Sequence, residues 1–290
     1  MVIGPVGRRT LLLAALCAVS ACEQQPAGDP LVRTTIRADA EGAVSSSEPA
    51  NDVPPPLNAQ VESSCRPIIF ENTPFTHCLA VPDRHRITTA LNGPAGPLRG
   101  FEALAASRAP DAPPVAFAIN GGSFDDQGVP VGYFVEASQR LQPLNTETGE
   151  GDFFMTPNGV FFGSGEKWEV RTTTDFLANV SQRPEFGTQS GPMLVIAGRL
   201  HPRMAADGPD RLVRSAVGTD KDGRAHFVIS NAPVSFGKLA RLYRDKLAVS
   251  DALHLDGPVS ALWSPANGRL DAGAPLGPMI VVERRQESGE

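Results

Sequence analysis

Four short apolar runs in this chain have the residue pattern of β-strands, and each ends at a polar residue that has a glycine close by. The runs and their ends are residues 115–119 before Asn120 and Gly121, 186–188 before Gln189 and Ser190, 212–213 before Arg214 and Ser215, and 252–255 before Asp256 and Gly257. Strands hold side chains rigidly, and polar groups leave the core at their ends. Glycine there tolerates positive φ or lets a ligand approach the backbone. The pattern therefore predicts a strand-rich fold with a site for a polar, anionic substrate, and the alternative is that these residues only form turns.

The N-terminus has the pattern of a bacterial lipoprotein signal. Arg8 and Arg9 precede an apolar run at residues 11–19, and small residues stand directly before Cys22. The run is too short to span a membrane. We therefore predict a signal peptide over residues 1–21 and lipid attachment at Cys22, which anchors stably because several acyl chains enter the bilayer. The alternative is an ordinary signal peptide with an incidental cysteine.

The residues after Cys22 divide into two predicted regions. Residues 22–60 are rich in proline and serine, contain no aromatic residue and show no apolar periodicity, so they are predicted to form a disordered tether. Residues 61–290 have the length of one domain with a sizeable core. Glu23 at the position after the cysteine resembles the sorting signal for the outer membrane in enteric bacteria. The expected location is thus the bacterial cell envelope, lipid-anchored and facing the periplasm, with the outer membrane favoured.

The charge of the chain argues against nucleic-acid binding, and its cysteines favour a disulfide. The chain has a formal net charge of −6 and no basic run, so nucleic-acid binding is not expected. Cys17 lies in the predicted signal, which leaves Cys65 and Cys78 in the folded part. Two cysteines in an exported domain favour a disulfide. The alternative, a reactive or metal-binding pair, lacks companion cysteines.

The periodicity along the folded part predicts an α+β domain. Period-2 runs separated by turn residues indicate a mainly antiparallel mixed sheet in a single domain, with two or three helices. The sequence from Asp220 to Gly223 is a hairpin turn signal. Two segments, residues 98–107 and 236–247, have helical periodicity, and Ser235 is a predicted N-cap of the second.

Few motifs in the chain indicate a specific catalytic chemistry. Neither HExxH, GxSxG nor a Cys/His metal spacing occurs, and neither a metal nor a cofactor is predicted. The five histidines are scattered and favour structural roles. His254 is the exception, because strand alternation places it on the same face as Asp256, either as an acid/base pair or as a solvent-facing pair. Glycoside hydrolysis generally needs two carboxylates, and candidate partners for Asp256 are Asp125, Asp126 and Glu136.

Six ordered blocks give the chain a resemblance to a known family. The blocks are residues 117–124 (FAINGGSF), 143–146 (PLNT), 157–162 (PNGVFF), 188–194 (TQSGPML), 214–218 (RSAVG) and 255–257 (LDG). Together they resemble the phosphodiester glycosidase domain family, in its bacterial branch of short exported proteins, over roughly residues 65–282. One departure is that Pro258 and Val259 follow the last block, where the branch of the family that contains the lysosomal uncovering enzyme has further glycines. Since proline has no N–H, an anion-binding nest is weaker there.

The resemblance implies a function and a set of site residues. It implies hydrolysis of a sugar-1-phosphodiester on a cell-envelope or periplasmic glycan, with a carbohydrate phosphodiester as the substrate. It assigns Arg214 to the phosphate and Asp256 to the base or electrostatic role. The implied substrate-binding residues are Asn120, Gly121, Gln189, Ser190, Ser215 and Gly257. Two alternatives stay open: a non-catalytic glycan- or phosphate-binding envelope lipoprotein, and a structural envelope lipoprotein, which would not need polar strand ends.

Overall fold

A computed structural model of the chain describes residues 62–204, 207–255 and 259–285. The predictions on the signal peptide, on Cys22 and on the tether up to residue 60 lie outside the described residues. The same holds for Asp256 and Gly257. No helix within the described ranges is long and apolar enough to cross a membrane.

The described chain is built mainly of short strands. In chain order the strands are β1 Cys65–Phe70, β2 Thr73–Ala80, β3 His85–Ala90, β4 Asn92–Gly93, β5 Gly96–Pro97, β6 Val115–Asn120, β7 Phe134–Glu136, β8 Gln139–Gln142, β9 Gly159–Ser164, β10 Lys167–Thr172, β11 Phe186–Ser190, β12 Met193–Ile196, β13 Arg199–Leu200, β14 Ser215–Thr219, β15 Ala225–Ser230, β16 Asp251–His254, β17 Leu262–Ser264, β18 Arg269–Leu270 and β19 Met279–Arg284. The helices are α1 Phe101–Ser107, α2 Thr173–Asn179 and α3 Phe236–Arg241, with a π-helical turn at Leu242–Lys246 and a 3₁₀ turn at Pro265–Asn267.

These strands form three main antiparallel sheets. A seven-stranded sheet has the order β1-β2-β15-β14-β16-β12-β13, and two five-stranded sheets have the orders β10-β9-β11-β7-β8 and β18-β17-β6-β19-β3. β4 and β5 pair as a separate ribbon. The predicted α+β single domain with mainly antiparallel sheet and two or three helices is confirmed.

One apolar core joins the three sheets. Phe227 of β15 meets Phe117 of β6 and Phe161 of β9 in edge-to-face contacts, with ring centroids 5.3 and 5.7 Å apart. A second cluster forms where α3 and the π turn cover the outer face of the seven-stranded sheet. There the Tyr243 hydroxyl donates to the carbonyl of Ala216 at 2.6 Å. Because the centre of the seven-stranded sheet is covered on both faces, its central strands are apolar almost throughout.

Two hairpins contain features that the sequence analysis predicts, a disulfide in one and a turn in the other. β1 pairs with β2 so that Cys65 lies opposite Cys78, and the two cysteines form the predicted disulfide. β14 and β15 are joined by the predicted turn, in which Asp220 Oδ1 accepts from the backbone N–H groups of Asp222 and Arg224. Both hairpins follow from local turn and strand patterns, without long-range information.

The helices differ in part from the prediction. α1 begins at Phe101 rather than at residue 98, because Leu98 donates its N–H to Leu91 in the ribbon that precedes the helix. Ser235 is the N-cap of α3, as predicted, and accepts from the Lys238 N–H at 3.2 Å. The α-helix ends at Arg241 and continues as a π turn, so the predicted helix 236–247 is two helical segments.

Candidate functional site

The ends of three neighbouring strands meet at one edge of the seven-stranded sheet. Since β14 and β16 are antiparallel, the first residues of β14 lie beside the last of β16, and Ala216 pairs with His254. The Leu255 N–H donates to the Ser215 carbonyl at 2.9 Å, and the His254 N–H donates to the Pro192 carbonyl at 3.0 Å. Three of the predicted blocks thus meet here, and Asp256 follows Leu255 directly.

Arg214 is fully buried at this edge. Its guanidinium stacks on the Phe236 ring at 3.6 Å and donates from Nε to the Val234 carbonyl at 3.1 Å. Nη2 bonds to Asp210 Oδ2 at 2.5 Å, whereas Nη1 lies 3.5 Å from Asp152 Oδ2. Arg214 is therefore part of the core and not a surface arginine. Removing the Arg214 side chain would leave the carbonyl of buried Val234 without this donor.

The two carboxylates beside Arg214 were missed in the sequence analysis. Burial raises the pKa of Asp152, and neighbouring Asp210 adds to this while Arg214 opposes it. Asp210 stands four residues before Arg214, and Asp152 lies in the loop before the block at residues 157–162. Only the spacing of Asp210 offered a signal in the sequence, and carboxylates in loops are too common for such a signal to select one.

His254 is fully buried as well. Its Nδ1 lies 3.0 Å from the Gly191 carbonyl, and its ring meets Phe236 edge-on at 4.8 Å. Burial lowers the pKa of His254 to about 3, with a smaller contribution from Arg214. Because a carbonyl only accepts, Nδ1 carries the proton of the neutral ring and Nε2 presents a lone pair. The interpretation of His254 as solvent-facing is wrong, since both faces of β16 are covered.

Three buried polar atoms at this edge have no hydrogen-bond partner within the described part of the chain. They are Ser190 Oγ, His254 Nε2 and Arg214 Nη1, of which Nη1 keeps only its 3.5 Å ion-pair contact with Asp152. Leaving a buried polar group unpaired costs about 1–3 kcal/mol. Two such atoms elsewhere, on Arg99 and Ser264, complete the set in the described residues. The concentration of three at the predicted strand ends indicates groups that are kept for a ligand.

A short hydrogen-bonded chain joins β6 to β14. Asn120 Oδ1 accepts from the Ser215 hydroxyl at 2.9 Å and from the Ala261 N–H at 3.2 Å. The Ser260 hydroxyl donates to Ser215 Oγ at 3.3 Å. Asn120 and Ser215, both predicted as substrate-binding, thus lie together, and their hydrogen bond holds the two side chains in place. Ser260 was not assigned a role from the sequence, although it stands just after the block at residues 255–257.

Gln189 braces the loop beside the site. Its Oε1 accepts from the N–H groups of Tyr133 and Asn145 at 2.8 and 2.9 Å. Its Nε2 donates to the Asn145 carbonyl at 2.7 Å and to Thr173 Oγ1 at 3.1 Å. These four bonds use the hydrogen-bonding capacity of the amide. The predicted contact of Gln189 with substrate stays a prediction, and its contacts give it a positioning role.

The glycines after Asn120 are required by close chain packing. A Cβ on Gly122 would lie 2.0 Å from the Gln189 carbonyl oxygen, and one on Gly121 would lie 2.9 Å from Pro278. The Gly121 N–H also donates to the Pro278 carbonyl at 2.7 Å. Gly121 therefore allows β6 and β19 of one sheet to approach each other, and Gly122 allows β6 to approach β11 of another sheet. Close packing is thus a reason for Gly121 beside its predicted role in binding.

The other candidate carboxylates serve the loops that carry them. Asp125 Oδ1 accepts from the N–H groups of Gln127 and Val129 in a turn. Glu136 Oε1 accepts from the Leu91 N–H at 3.3 Å, and burial raises the pKa of Glu136. Within the described contacts neither carboxylate reaches Arg214, whereas Asp152 and Asp210 do.

The comparison with known proteins agrees with this arrangement of blocks. A family model described as phosphodiester glycosidase matches residues 114–283, more than half of the chain. This chain belongs to the phosphodiester glycosidase family. The matched region carries all six blocks, from the one around Asn120 to the one that ends at Gly257, so the resemblance predicted from them is confirmed.

Two similar proteins illustrate the family. An Escherichia coli (strain K12) protein, "Uncharacterized protein YigE", is 34% identical over 171 residues, which cover 59% of this chain and 66% of that protein. The chain thus spans slightly less than two thirds of this relative. The solved catalytic domain of zebrafish N-acetylglucosamine-1-phosphodiester alpha-N-acetylglucosaminidase, auto-inhibited by its pro-peptide, matches with a TM-score of 0.52 and 15% identity. This match covers 76% of this chain and 82% of the zebrafish domain, and it shows a shared fold.

Proposed function

We propose that this domain hydrolyses a sugar-1-phosphodiester of the cell envelope or periplasm. The observation that carries the proposal is the buried Arg214, which lies with unpartnered polar atoms of Ser190 and His254 where the family's blocks meet. Membership of the phosphodiester glycosidase family supports the reaction class. The activity named for the zebrafish relative supports a phosphodiester-linked sugar as the substrate class.

The residue types suit this reaction. Water attacks C1 of the sugar, the bond from C1 to the phosphate oxygen breaks, and a phosphomonoester leaves. Because the phosphate is a good leaving group, the enzyme needs little acid assistance. Asp256 takes the proton of the attacking water or stabilises positive charge at C1. Arg214 Nη1 donates to a phosphate oxygen, for which the substrate displaces the longer of its two carboxylate contacts, that with Asp152.

The neighbouring groups position the sugar. Neutral His254 offers an acceptor at Nε2 for a sugar hydroxyl, and the Ser190 hydroxyl can donate or accept. The chain of Asn120, Ser215 and Ser260 holds β6 against β14 and so sets the shape of the site. In the alternative hypothesis, a non-catalytic glycan- or phosphate-binding protein makes the same contacts with its ligand but does not hydrolyse it.

A release assay tests the proposal. Full chain is incubated with a panel of sugar-1-phosphodiesters, and release of sugar and of phosphomonoester is measured for wild type, Asp256→Asn, Arg214→Lys and the exposed control Asp111→Asn. We expect Asp256→Asn to lower kcat with little change in affinity, because its charge acts mainly in the transition state. Arg214→Lys should weaken binding by about 1.5–3 kcal/mol, and Asp111→Asn should match wild type.

The outcomes separate the hypotheses. Binding without turnover by the wild type would favour a glycan- or phosphate-binding protein. Near wild-type turnover by Asp256→Asn would make the mechanism wrong and Asp152 the next candidate. Since Arg214 is buried, a thermal melt of Arg214→Lys is needed to show that it is folded at the assay temperature.

We also propose that Cys22 is acylated and anchors the chain in the bacterial envelope, with the domain facing the periplasm. The support is the signal-like sequence before Cys22 and the proline- and serine-rich stretch after it. Wild type and Cys22→Ser should be compared for incorporation of labelled fatty acid and for membrane fractionation. Equal labelling of the two proteins would contradict the proposal.

A further inference from the structure

An open groove of about 1020 Å³ lies apart from the strand-end site, where β1 and β3 begin and β19 ends. We call it the arginine groove, after the four arginines that line it, Arg66, Arg84, Arg284 and Arg285. Three carboxylates also line it, those of Glu62, Asp83 and Glu166. None of the residues assigned above to the strand-end site is among its lining residues.

Two of the four arginines are held by the protein. Arg285 donates from Nε to the carbonyls of Pro82 and His85 at 2.9 and 3.0 Å and lies 3.7 Å from a Glu166 oxygen. Arg284 donates to the Glu62 carbonyl. Arg66 and Arg84, in contrast, form neither an ion pair nor a side-chain hydrogen bond with other described residues. Two unpaired guanidinium groups in one groove of a chain with a net charge of −6 indicate a site for an anion.

A buried histidine, His77, lines this groove and belongs to a row of hydrogen-bonded side chains. His77 is 3% exposed and lines the groove, and it lies opposite Arg66 in the β1–β2 pair. Its Nε2 is 3.1 Å from Nδ1 of His226, whose Nε2 is 3.0 Å from Asp220 Oδ2. Three side chains therefore form one hydrogen-bonded row from the turn at Asp220 to the groove.

Asp220 sets the direction of every proton in this row. Burial pushes the pKa of Asp220 upward, but its bonds to His226 and Arg224 outweigh this and lower it, so the carboxylate is ionised and only accepts. His226 Nε2 must then carry a proton. Burial lowers the pKa of His226, so its ring is neutral and its Nδ1 accepts from His77 Nε2.

The same reasoning fixes the free nitrogen of His77. Burial, with help from His226 and Arg66, lowers the pKa of His77 to about 3, so this ring is neutral as well. With its proton on Nε2, the ring has a lone pair on Nδ1, which makes no hydrogen bond within the described part of the chain. The groove thus combines unpaired donors on Arg66 and Arg84 with one acceptor, because the neutral His77 ring carries its proton on the nitrogen that bonds to His226.

We propose that the arginine groove binds a phosphomonoester group through its P–OH proton. The P–OH donates to His77 Nδ1, while the other phosphate oxygens accept from Arg66 and Arg84. Phosphomonoesters keep a proton up to a second pKa of about 6. Sulfate and phosphodiesters have no such proton, so they would face the His77 lone pair without a donor. This selectivity is independent of the hydrolysis proposed for the strand-end site.

The first test follows the His77 imidazole in the full chain at about pH 6, where a phosphomonoester is half protonated. Inorganic phosphate, glycerol 3-phosphate and sulfate are titrated while the ring nitrogens of His77 are observed by ¹⁵N NMR and the affinity by calorimetry. We expect the two phosphates, but not sulfate, to shift the His77 Nδ1 resonance. The resonance is specific to the groove, so phosphate bound at Arg214 does not interfere.

Variants distinguish binding in the groove from nonspecific attraction of anions to surface arginines. Arg66→Gln/Arg84→Gln should weaken the phosphate response by about tenfold or more, since two charged hydrogen bonds are lost. Arg86→Gln is the matched control, because Arg86 is exposed and does not line the groove, and it should bind as wild type. His77→Phe should abolish the preference for phosphate over sulfate. If that variant is unfolded, the wild-type comparison of the two anions and the arginine pair still decide the matter.

A vesicle experiment identifies the source of the phosphate. Phosphatidylcholine vesicles that contain phosphatidate present a phosphomonoester headgroup, and vesicles that contain phosphatidylglycerol present a phosphodiester of like sign. Binding to phosphatidate vesicles but not to phosphatidylglycerol vesicles would identify a lipid headgroup as the ligand. A response to glycerol 3-phosphate alone would identify a soluble phosphomonoester. Equal responses to phosphate and sulfate, no shift of His77, or an unchanged response in Arg66→Gln/Arg84→Gln would overturn the proposal.

Discussion

At the scale of single residues, the central feature is that the charge of Arg214 is already neutralised. Asp210 bonds to Nη2, and Asp152 lies 3.5 Å from Nη1. A phosphate that binds Arg214 therefore competes with a carboxylate of the protein, and Asp152 makes the weaker of the two contacts. Affinity at this site depends on the charge of Asp152 as well as on Arg214.

We predict that Asp152→Asn strengthens binding of a sugar-1-phosphodiester by about two- to fivefold, because a half-exposed competing charge is worth up to about 1 kcal/mol. Burial raises the pKa of Asp152, so this carboxyl takes up its proton at a higher pH than an ordinary aspartate. Binding to wild type should therefore strengthen as pH falls from 7 to 5, while a phosphodiester keeps its charge throughout. Calorimetric titrations at several pH values check this, with Asp111→Asn as control. A pH dependence of equal size in Asp152→Asn would contradict the assignment.

The sequence predicted which residues lie at this edge of the sheet, but it did not predict how deeply they are buried. Asn120, Arg214, Ser215 and the block after Leu255 were singled out because each was predicted to follow a strand. The predicted strand at residues 212–213 is wrong, because Leu212 forms only an isolated bridge with Val234 and β14 begins at Ser215. The start of β14 nevertheless lies beside the end of β16. The burial of Arg214 was not predictable, because it depends on Phe236 and Asp152, which come from other parts of the chain. Strand alternation placed His254 opposite Leu253 correctly, but it could not show that α3 covers that face.

At the scale of elements, hairpins were predictable and the order of strands in the sheets was not. The β14–β15 turn and the β1–β2 pair arise from neighbouring residues and specific turn chemistry. In contrast, β16 lies between β14 and β12, and this order depends on contacts between distant segments. α2 was also not located, because its seven residues give too short a periodic pattern; its Thr172 cap is visible only once Asp175 N–H is seen to bond to it.

The β1–β2 hairpin gives a prediction at this scale. Replacing both cysteines, Cys65→Ser/Cys78→Ser, should lower the free energy of unfolding by about 3 kcal/mol, since the bond closes a short loop in the unfolded chain. Phosphodiester binding should be unchanged, because β2 and β15 separate β1 from β14 in the sheet. Urea denaturation and calorimetry measure the two quantities. A reducing agent should destabilise wild type and leave the double variant unaffected, and equal stability of the two proteins under oxidising conditions would refute the prediction.

At the scale of the whole molecule, the three sheets share one core, and this has an effect on every histidine. His77, His85, His201, His226 and His254 are all buried, from 0% to 7% exposed. Burial is the first cause of the lowered pKa in each of them. The sequence showed five scattered histidines and favoured structural roles, but only the packing of three sheets shows that all five are kept neutral.

We predict that the free energy of unfolding falls as pH decreases below about 6.5. An unfolded histidine takes up a proton near pH 6.5, whereas folded His77 and His254 do so at about pH 3. Between these values the unfolded state binds more protons, so the stability that these neutral rings provide is present above pH 6.5 and is lost as pH falls. Each histidine contributes up to about 1.4 kcal/mol per pH unit. Asp220, whose pKa is lowered, acts in the same direction at lower pH, while Asp152 and Glu136, whose pKa values are raised, oppose it.

Urea denaturation between pH 7.5 and 4.5 measures this slope, and His254→Gln is the informative variant. Glutamine can donate to the Gly191 carbonyl but does not titrate, so the slope should decrease by the contribution of one histidine. The free energy of unfolding of His254→Gln should therefore be lower than that of wild type at pH 7, and the difference should shrink toward pH 5. Stability of the wild type that stays constant or rises from pH 7 to pH 5 would mean that the buried histidines become charged without unfolding. It would also remove the neutral rings on which the roles proposed for His254 and His77 depend.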